Sequence, residues 1–295
     1  MRTPDLPVAF GLLGPLLVAD NGGTTIAIPQ PKQRVIMAAL LLRANTTVTG
    51  DQLANALWQD APPPNALAAI RTYVARLRRT LGQVGTRLVS RSAGYAVEVH
   101  PPGEFDLDEL DRLHAESRLA AEAQQWEGAA RASDKALRLW RGTALEDIPS
   151  DVLHRTVADR LEESRLQLAT ARMDAELHLG RDHYVLAELR QLAAGHPLHE
   201  HIQAQLMLAY YRCGRQADAL GAYQQVRKCL ADNLGVEPGP ELRQLHQLIV
   251  TADPVLDPPQ WPRAAGQGRL TTMCALAYEP AVTVSINRSS ERIPR

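Results

Sequence analysis

Residues 65–99 read NALAAIRTYVARLRRTLGQVGTRLVSRSAGYAVEV, and this stretch decides the fold of the N-terminal part of the chain. Apolar residues recur at steps of three and four through 65–81, which predicts an amphipathic helix. The segments 87–91 and 95–99 are rich in β-branched and aromatic residues and flank a turn that contains glycine, which predicts a β-hairpin. We therefore expect a helix followed directly by a hairpin.

Charge is distributed unevenly around this stretch. Between Asp60 and Glu98 the sequence has no acidic residue but six arginines, all on the predicted helix or hairpin. Residues 1–100 hold 10 Lys and Arg against 5 Asp and Glu, whereas residues 101–252 hold 17 against 24. The net charge of the whole chain is only −1. A basic head joined to an acidic body indicates a nucleic-acid-binding part and a protein-contacting part.

The six arginines permit two interpretations. A helix fits the major groove of B-DNA, where arginine pairs with guanine, and arginine contacts to phosphate supply much of the affinity. The alternative is a solvated arginine face, which is the usual meaning of a run of charge. Thr49 to Gln52 have capping-box spacing and predict a short preceding helix that ends at Trp58, the first half of a helix-turn-helix. Helix order, hairpin and charge together favour DNA binding.

The first thirty residues predict a small sheet. Segments 8–13, 16–19 and 24–28 read as short strands, with a turn at 20–23 where Asn and Gly tolerate positive φ. The apolar run that begins at residue 8 loosely resembles a signal peptide. Prolines and glycines interrupt that resemblance, so we interpret the run as the first strand. A helix is expected over 31–44, since Pro31 suits a first helical turn.

From residue 101 onward the pattern is helical. A weak internal repeat aligns 180–197 with 214–235 at an offset of 34 residues, which is the tetratricopeptide spacing. The last segment, 253–295, is rich in proline, and we expect it to be mostly disordered, with an extra strand at 282–286 left open. The predicted helices are 106–123, 126–140, 152–179, 182–194, 199–213, 215–231 and 239–251.

These patterns predict an α+β N-terminal winged helix-turn-helix followed by an all-α tetratricopeptide-like helical domain. The predicted boundaries are 1–100 for the DNA-binding domain, 101–252 for the helical domain and 253–295 for the tail.

Other chemistry finds little support in the sequence. Three cysteines, Cys213, Cys229 and Cys274, are too few and too widely spaced for a disulfide scaffold or a zinc site, which fits a reducing cytoplasmic compartment. No apolar run reaches the ~18 residues that a membrane span needs. Phosphate-loop, dinucleotide and nucleophile-elbow motifs are absent. We therefore expect no catalytic residue, no cofactor and no membrane partner.

The cluster His196, His199 and His201 has a spacing that could indicate a metal site. Because Pro197 interrupts the chain, the three side chains cannot share one helical face, and we interpret them as the start of a surface helix. We therefore predict no metal. Tyrosines of the helical domain either pack in its core or line a concave ligand-binding face; they are Tyr184, Tyr210, Tyr211 and Tyr223.

Several motifs resemble one protein family, the Streptomyces antibiotic regulatory proteins. PKQR at 31–34, DQLANALW at 51–58, YVARLRRTLG at 73–82 and GYAVEV at 94–99 resemble the winged helix of that family. Residues 196–246 are similar to its bacterial transcriptional activator domain, a tetratricopeptide-like module. The resemblance covers about 1–251.

The resemblance implies a response-regulator-type winged helix whose third helix reads the major groove. Thr72 and Arg76 fall where relatives touch bases, whereas Ala68 and Ala75 replace groups that are often polar, which leaves the base preference open. Tyr73, Arg78 and Arg79 fall at or near phosphate-contacting positions. Arg91 matches the wing arginine, and Arg71 and Arg87 are plausible phosphate contacts on charge grounds only. The predicted DNA contacts are Arg71, Thr72, Tyr73, Arg76, Arg78, Arg79, Arg87 and Arg91.

The function that the resemblance implies is activation of an antibiotic biosynthetic gene cluster. The implied partners are promoter DNA with direct repeats near the −35 region, RNA polymerase holoenzyme and, on DNA, a second copy of the chain. The alternatives are a helical-repeat protein-interaction adaptor and a ligand-sensing regulator.

Overall fold

A computed structural model of the chain describes residues 9–100 and 103–257. Packing divides it into two compact units. The described part of the first unit comprises 9–114, without 101–102, and 135–166; that of the second comprises 115–134 and 167–257. The predicted domain boundaries follow chain order rather than packing and stay a prediction.

The first unit opens with a short hairpin. Strand β1, Phe10–Gly11, pairs antiparallel with β2, Leu17–Val18. The predicted return strand at 24–28 is wrong, because only an isolated bridge joins Ala19 to Thr25. Its two isoleucines pack on the core, but most of the segment is exposed to solvent and leads into two prolines, which lack the N–H that would extend a ladder.

Three helices follow, as the sequence predicts. Helix α1 is Pro31–Leu41, α2 is Gly50–Trp58 and α3 is Ala66–Leu81. The expected capping box begins α2: the Gln52 amide N–H donates to Thr49 Oγ1 at 3.2 Å, and the Thr49 amide N–H donates to Gln52 Oε1 at 2.9 Å. Helix α1 ends three residues earlier than expected.

The predicted hairpin is confirmed as two strands of a three-stranded sheet. Strand β3, Val48–Thr49, lies beside β5, Gly94–Val97, which also pairs with β4, Leu88–Arg91, so the order is β3-β5-β4. Strand β3 has only two residues and gives no periodic signal in the sequence. A Cβ atom at Gly94 would collide with the Val48 carbonyl oxygen, which explains glycine at this crossing.

One apolar core lies beneath the three helices and the sheet. Ile36, Leu40, Leu53 and Leu77 are fully buried in it. Residues beyond position 100 complete the same core, among them Phe105 and a segment whose buried side chains include Leu145, Ile148 and Leu153.

The remaining helices follow the predicted order. The predicted helix at 152–179 is interrupted by one π-helical turn, His154–Ala158, and two other helices end three residues from the expected positions. The observed helices are α4 Asp106–Glu122, α5 Trp126–Leu137, α6 Asp151–Leu153, α7 Asp159–His178, α8 Asp182–Gly195, α9 Glu200–Arg212, α10 Gln216–Leu234 and α11 Pro240–Val250.

The same turn joins three helix pairs in the second unit. Gly180 and Gly214 both have positive φ, and so does Gln124 in the turn between α4 and α5. In each turn the following amide N–H donates back to the last helical turn, as Arg181 does to the Glu176 carbonyl at 3.0 Å. This is the bonding of a left-handed helix cap, and two of its copies lie at the predicted offset of 34 residues.

The second unit has its own apolar core. Met207, Tyr223, Val226 and Ile249 are buried in it, between α9, α10 and α11. Pro254–Leu256 form one 3-10 turn. The rest of the predicted tail from 258 onward, with the segment 282–286, lies outside the described residues.

Candidate nucleic-acid interface

Helix α3 has one buried stripe and one exposed face. Ile70, Val74, Leu77 and Leu81 point into the core of the first unit. Thr72, Arg76 and Arg79 follow at steps of four and three, and all three are exposed. Residues at this spacing share a helix face, so the predicted base-contacting pair lies on the side opposite the core. Ala68 and Ala75 are also exposed and add little bulk there.

The guanidinium groups on this helix fall into two classes. Within the described ranges, Arg71, Arg76 and Arg79 have neither a hydrogen bond nor an ion pair, and all three are exposed. Their charge is therefore available to a partner. An exposed cationic group with no internal partner is what phosphate and guanine recognition require.

Arg78 belongs to the other class. Its Nε donates to the Leu88 carbonyl oxygen at 2.7 Å, and its Nη2 donates to Ser90 Oγ at 2.9 Å. These bonds tie α3 to strand β4 and fix the angle between helix and hairpin. The predicted phosphate role of Arg78 competes with this bracing role.

Arg87 is also occupied. It lies in a 3-10 turn before β4 and forms two parallel bonds to Glu104, Nη1 to Oε2 at 2.6 Å and Nη2 to Oε1 at 3.0 Å. The hydrogen bond from Arg87 lowers the pKa of the Glu104 carboxyl, helped by the His100 amide, which donates to Oε2 at 2.8 Å. The sequence suggested Arg87 as a DNA contact on charge grounds only. In the structure, Glu104 neutralises the charge of Arg87.

Arg91 lies at the hairpin turn, where a wing arginine is expected. Among the described residues it pairs only with Glu98, at 3.8 Å between Nη2 and Oε1, and both side chains are exposed. An exposed pair at this distance contributes little to stability and is readily exchanged for a phosphate.

Tyr73 and Thr72 differ in their freedom. The Thr72 hydroxyl donates to the Ala68 carbonyl oxygen at 3.1 Å within the helix, which leaves its oxygen lone pairs and methyl group toward solvent. The half-buried Tyr73 ring packs on the core and lies 5.9 Å from the Lys32 ammonium.

Lys32 is the residue that sequence reasoning missed. It is the second residue of α1, and its ammonium lies 4.7 Å from the centre of the Trp58 ring and 5.9 Å from that of Tyr73. The signal was present, because Lys32 belongs to the PKQR motif and is the single lysine of the first 100 residues. The sequence alone does not show that Lys32 lies close to α3, because only folding brings α1 and α3 together.

The structure also bears on the histidine cluster and on possible metal and membrane sites. His201 Nε2 lies 2.9 Å from Asp174 Oδ2 in the second unit. No group of His, Cys, Asp or Glu in the part of the chain that the structure covers could hold a metal ion. No helix in that part is long and apolar enough to cross a membrane.

Two family models match the chain. Residues 24–97 match "Transcriptional regulatory protein, C terminal" and residues 105–250 match "Bacterial transcriptional activator domain". The first match contains α1 to α3 and the hairpin; the second contains all the helices from α4 to α11.

Individual relatives agree with these models. Regulatory protein AfsR from Streptomyces coelicolor is 44% identical over 247 residues, which are 84% of this chain but only 24% of AfsR. Regulatory protein DnrI from Streptomyces peucetius is 38% identical over 267 residues, which are 87% of this chain and 97% of DnrI.

A solved structure also matches. Mycobacterium tuberculosis EmbR, in complex with a low affinity phosphopeptide, has a TM-score of 0.78 and 38% sequence identity; the match covers 85% of this chain and 66% of the EmbR chain. Fold, family models and a relative that the chain covers almost completely agree. The chain belongs to the Streptomyces antibiotic regulatory protein family of DNA-binding transcriptional regulators.

Proposed function

We propose that the chain is a sequence-specific transcriptional activator of a secondary-metabolite gene cluster. It binds direct repeats near the −35 region of a promoter and recruits RNA polymerase holoenzyme. The observation that carries the DNA-binding part is the exposed face of α3, where Arg76 and Arg79 are unpartnered beside Thr72.

The predicted DNA contacts differ in whether their side chains are also bonded or packed within the domain. Thr72 and Arg76 read base edges, because they lie opposite the core at the centre of the exposed face. Arg71, Arg79 and Arg91 contact phosphates from the flanks and the hairpin. Three further predicted contacts also hold the domain together or pack on its core, and we give them secondary roles at the DNA; they are Tyr73, Arg78 and Arg87.

The helical repeats supply the protein-contacting part. Their composition is acidic, and an acidic body attached to a basic head keeps its own surface away from DNA phosphates. Activation by contact with polymerase, head-to-tail binding of two copies on direct repeats and a cytoplasmic location rest on the family resemblance.

The first test is a footprint of the full-length chain on the intergenic DNA beside its own gene. The matched variants are Arg76→Ala on α3 and Arg190→Ala, an exposed arginine on α8 with no recorded partner. We expect a protected direct repeat that Arg76→Ala loses and Arg190→Ala keeps. If no duplex is protected at low salt, the DNA-binding proposal fails and the adaptor interpretation takes its place.

The second test separates activation from binding. Run-off transcription with purified RNA polymerase holoenzyme should rise when the chain is added to a template that carries the protected repeat. A template with the repeat scrambled is the control. Protection without stimulation would leave a DNA-binding protein and remove the activator proposal.

A further inference from the structure

A small cleft lies beside the exposed face of α3. It has a volume of about 290 Å³ and is lined by Gln30 to Gln33 at the start of α1 and by Tyr73 and Arg76 of α3. Arg76 therefore belongs both to the base-reading face and to the wall of this cleft.

Cationic groups and free donors converge on the cleft. Lys32 is exposed, and its ammonium lies against the Trp58 and Tyr73 rings, at 4.7 Å and 5.9 Å from their centres. Aromatic rings orient an ammonium by cation–π attraction without neutralising it. No carboxylate pairs with Lys32 or Arg76 in the described ranges, and the Tyr73 hydroxyl has no recorded hydrogen bond there.

Gln33 is a second and independent sign of a missing ligand. The residue is only 3% exposed, yet it lines the cleft, and its Oε1 has no hydrogen-bond partner. No bond is recorded for its Nε2 either within the described ranges. Buried amide groups are nearly always bonded, so an unbonded amide at a cleft wall favours a bound partner. Nε2 is the end of this amide that can donate to a ligand oxygen, whereas Oε1 is an acceptor.

The start of α1 adds a backbone donor. The Gln30 side chain makes no cap bond, and Pro31 carries no N–H. The Gln33 and Arg34 amides both donate to the Gln30 carbonyl oxygen, at 3.0 Å and 3.2 Å. The Lys32 N–H thus remains as the open donor at the positive end of the helix dipole.

The chemistry of these groups selects the ligand. Two unpaired positive charges, a phenol, an amide Nε2 donor and a helix N-terminus, with no carboxylate among the lining residues, match a phosphate group. The source that fits is the DNA backbone, because Arg76 on the same wall lies on the face that α3 presents to the groove.

We propose that the cleft binds one phosphate of the DNA backbone, with Lys32 as its principal cation and the Nε2 group of Gln33 as its buried donor. This inference rests on the proposed DNA-binding function and adds a contact from α1 to it. A phosphate held by α1 and a base read by α3 fix the depth at which α3 lies in the groove, since phosphate contacts set register.

The test uses the full-length chain and the Lys32→Gln variant. Lys228→Gln is the matched control, because Lys228 is an exposed lysine of α10 without a recorded partner. Phosphate ethylation interference on the protected DNA should show one phosphate per half-site whose ethylation weakens binding of the wild type. Ethylation of the same phosphate should not weaken binding of Lys32→Gln. The slope of log affinity against log salt should become shallower by about 0.9, with affinity reduced about 3–10-fold and base preference unchanged.

Three results overturn the proposal, and they differ from one another. Identical interference patterns and salt slopes for wild type and Lys32→Gln would remove the phosphate contact while leaving DNA binding intact. Binding of inorganic phosphate that needs Lys32, without any change at the DNA, would assign the cleft to a free anion. Failure of the wild-type chain to bind any duplex would remove this inference together with the proposed function.

A variant that keeps the positive charge at position 32 provides a further test. Lys32→Arg should keep the wild-type salt slope and ethylation pattern, because a guanidinium also binds phosphate and stacks on aromatic rings. Loss of the contact in Lys32→Arg as well as in Lys32→Gln, with unchanged thermal stability, would contradict a role for the charge.

Discussion

Arginines in two regions of the first unit have opposite surroundings. On the exposed face of α3, Arg76 and Arg79 reach solvent, and no residue that the structure describes bonds to either guanidinium. Near the β1–β2 turn, Arg141 donates to the Pro15 carbonyl oxygen at 2.6 Å and to Asp106 Oδ2 at 3.2 Å. Asp106 is 1% exposed and also accepts bonds from the Leu12 and Leu13 amides.

The partners of the occupied arginines share one origin. Glu104 holds Arg87, Asp106 holds Arg141, and Asp147 lies 3.3 Å from Arg34 Nε. All three acidic residues come after position 100, where the acidic half of the sequence begins. The fold thus uses those carboxyl groups to pair these three arginines, whereas no described carboxyl group pairs with an arginine of α3. Unpaired positive charge concentrated on one face attracts DNA phosphates to that face and so orients the domain on DNA.

The largest expected effect comes from removing the buried acceptor. Asp106→Ala leaves two backbone amides and the Arg141 guanidinium without their acceptor, and it should lower the free energy of unfolding by about 3–5 kcal/mol. Burial raises the pKa of Asp106, but the acceptor is lost in either protonation state. Urea unfolding at pH 7 measures the change, with exposed Asp60→Ala as the control. A change below 1 kcal/mol would show that this junction does not hold the domain together.

The second effect concerns the free arginines and leaves stability unchanged. Arg76→Lys keeps the charge but loses the two-pronged donor that guanine recognition uses, so discrimination at one base pair should fall by about 1–3 kcal/mol. Arg79→Lys should bind with nearly wild-type affinity and preference, since a point charge suffices for a phosphate. Competition binding with single-base variants of the protected repeat measures both. An unchanged preference in Arg76→Lys would place the base-reading group elsewhere.

Sequence reasoning identified the secondary-structure elements, but it did not show which arginines are paired within the domain and which are available to DNA. Periodicity and capping signals act within one element, and they predicted α3, the capping box at Thr49 and the hairpin. The role of an arginine depends on its partner, and Arg87 finds Glu104 seventeen residues away only when the domain has folded. The aromatic partners of Lys32 come from α2 and α3, so the PKQR motif alone could not reveal the cleft.

The third effect tests whether Arg78 belongs with the occupied arginines. Arg78→Ala removes the donor to the Leu88 carbonyl oxygen and should cost about 1 kcal/mol of stability. Arg79→Ala, one residue further along the helix, should change stability by less than about 0.5 kcal/mol, because its side chain is exposed and unpartnered. Thermal or urea unfolding of the two variants side by side gives the answer. Equal stabilities would return Arg78 to the DNA-contacting class.

The smallest effect is the pH dependence of the Arg87–Glu104 pair. The two side chains are 23% and 25% exposed, so Glu104→Gln should cost only about 0.5–1 kcal/mol at pH 7. Arg87 lowers the pKa of Glu104 below 4.5; the stabilisation is therefore complete above pH 4.5 and is lost as the pH falls through the folded-state pKa. Urea midpoints of wild type and Glu104→Gln should differ at pH 7 and converge as the pH falls through the folded-state pKa of Glu104. The double variant Arg87→Gln with Glu104→Gln is the control for loss of the pair. A difference that stays constant over this range would mean that Glu104 acts through packing, and Arg87 would then be free to contact DNA.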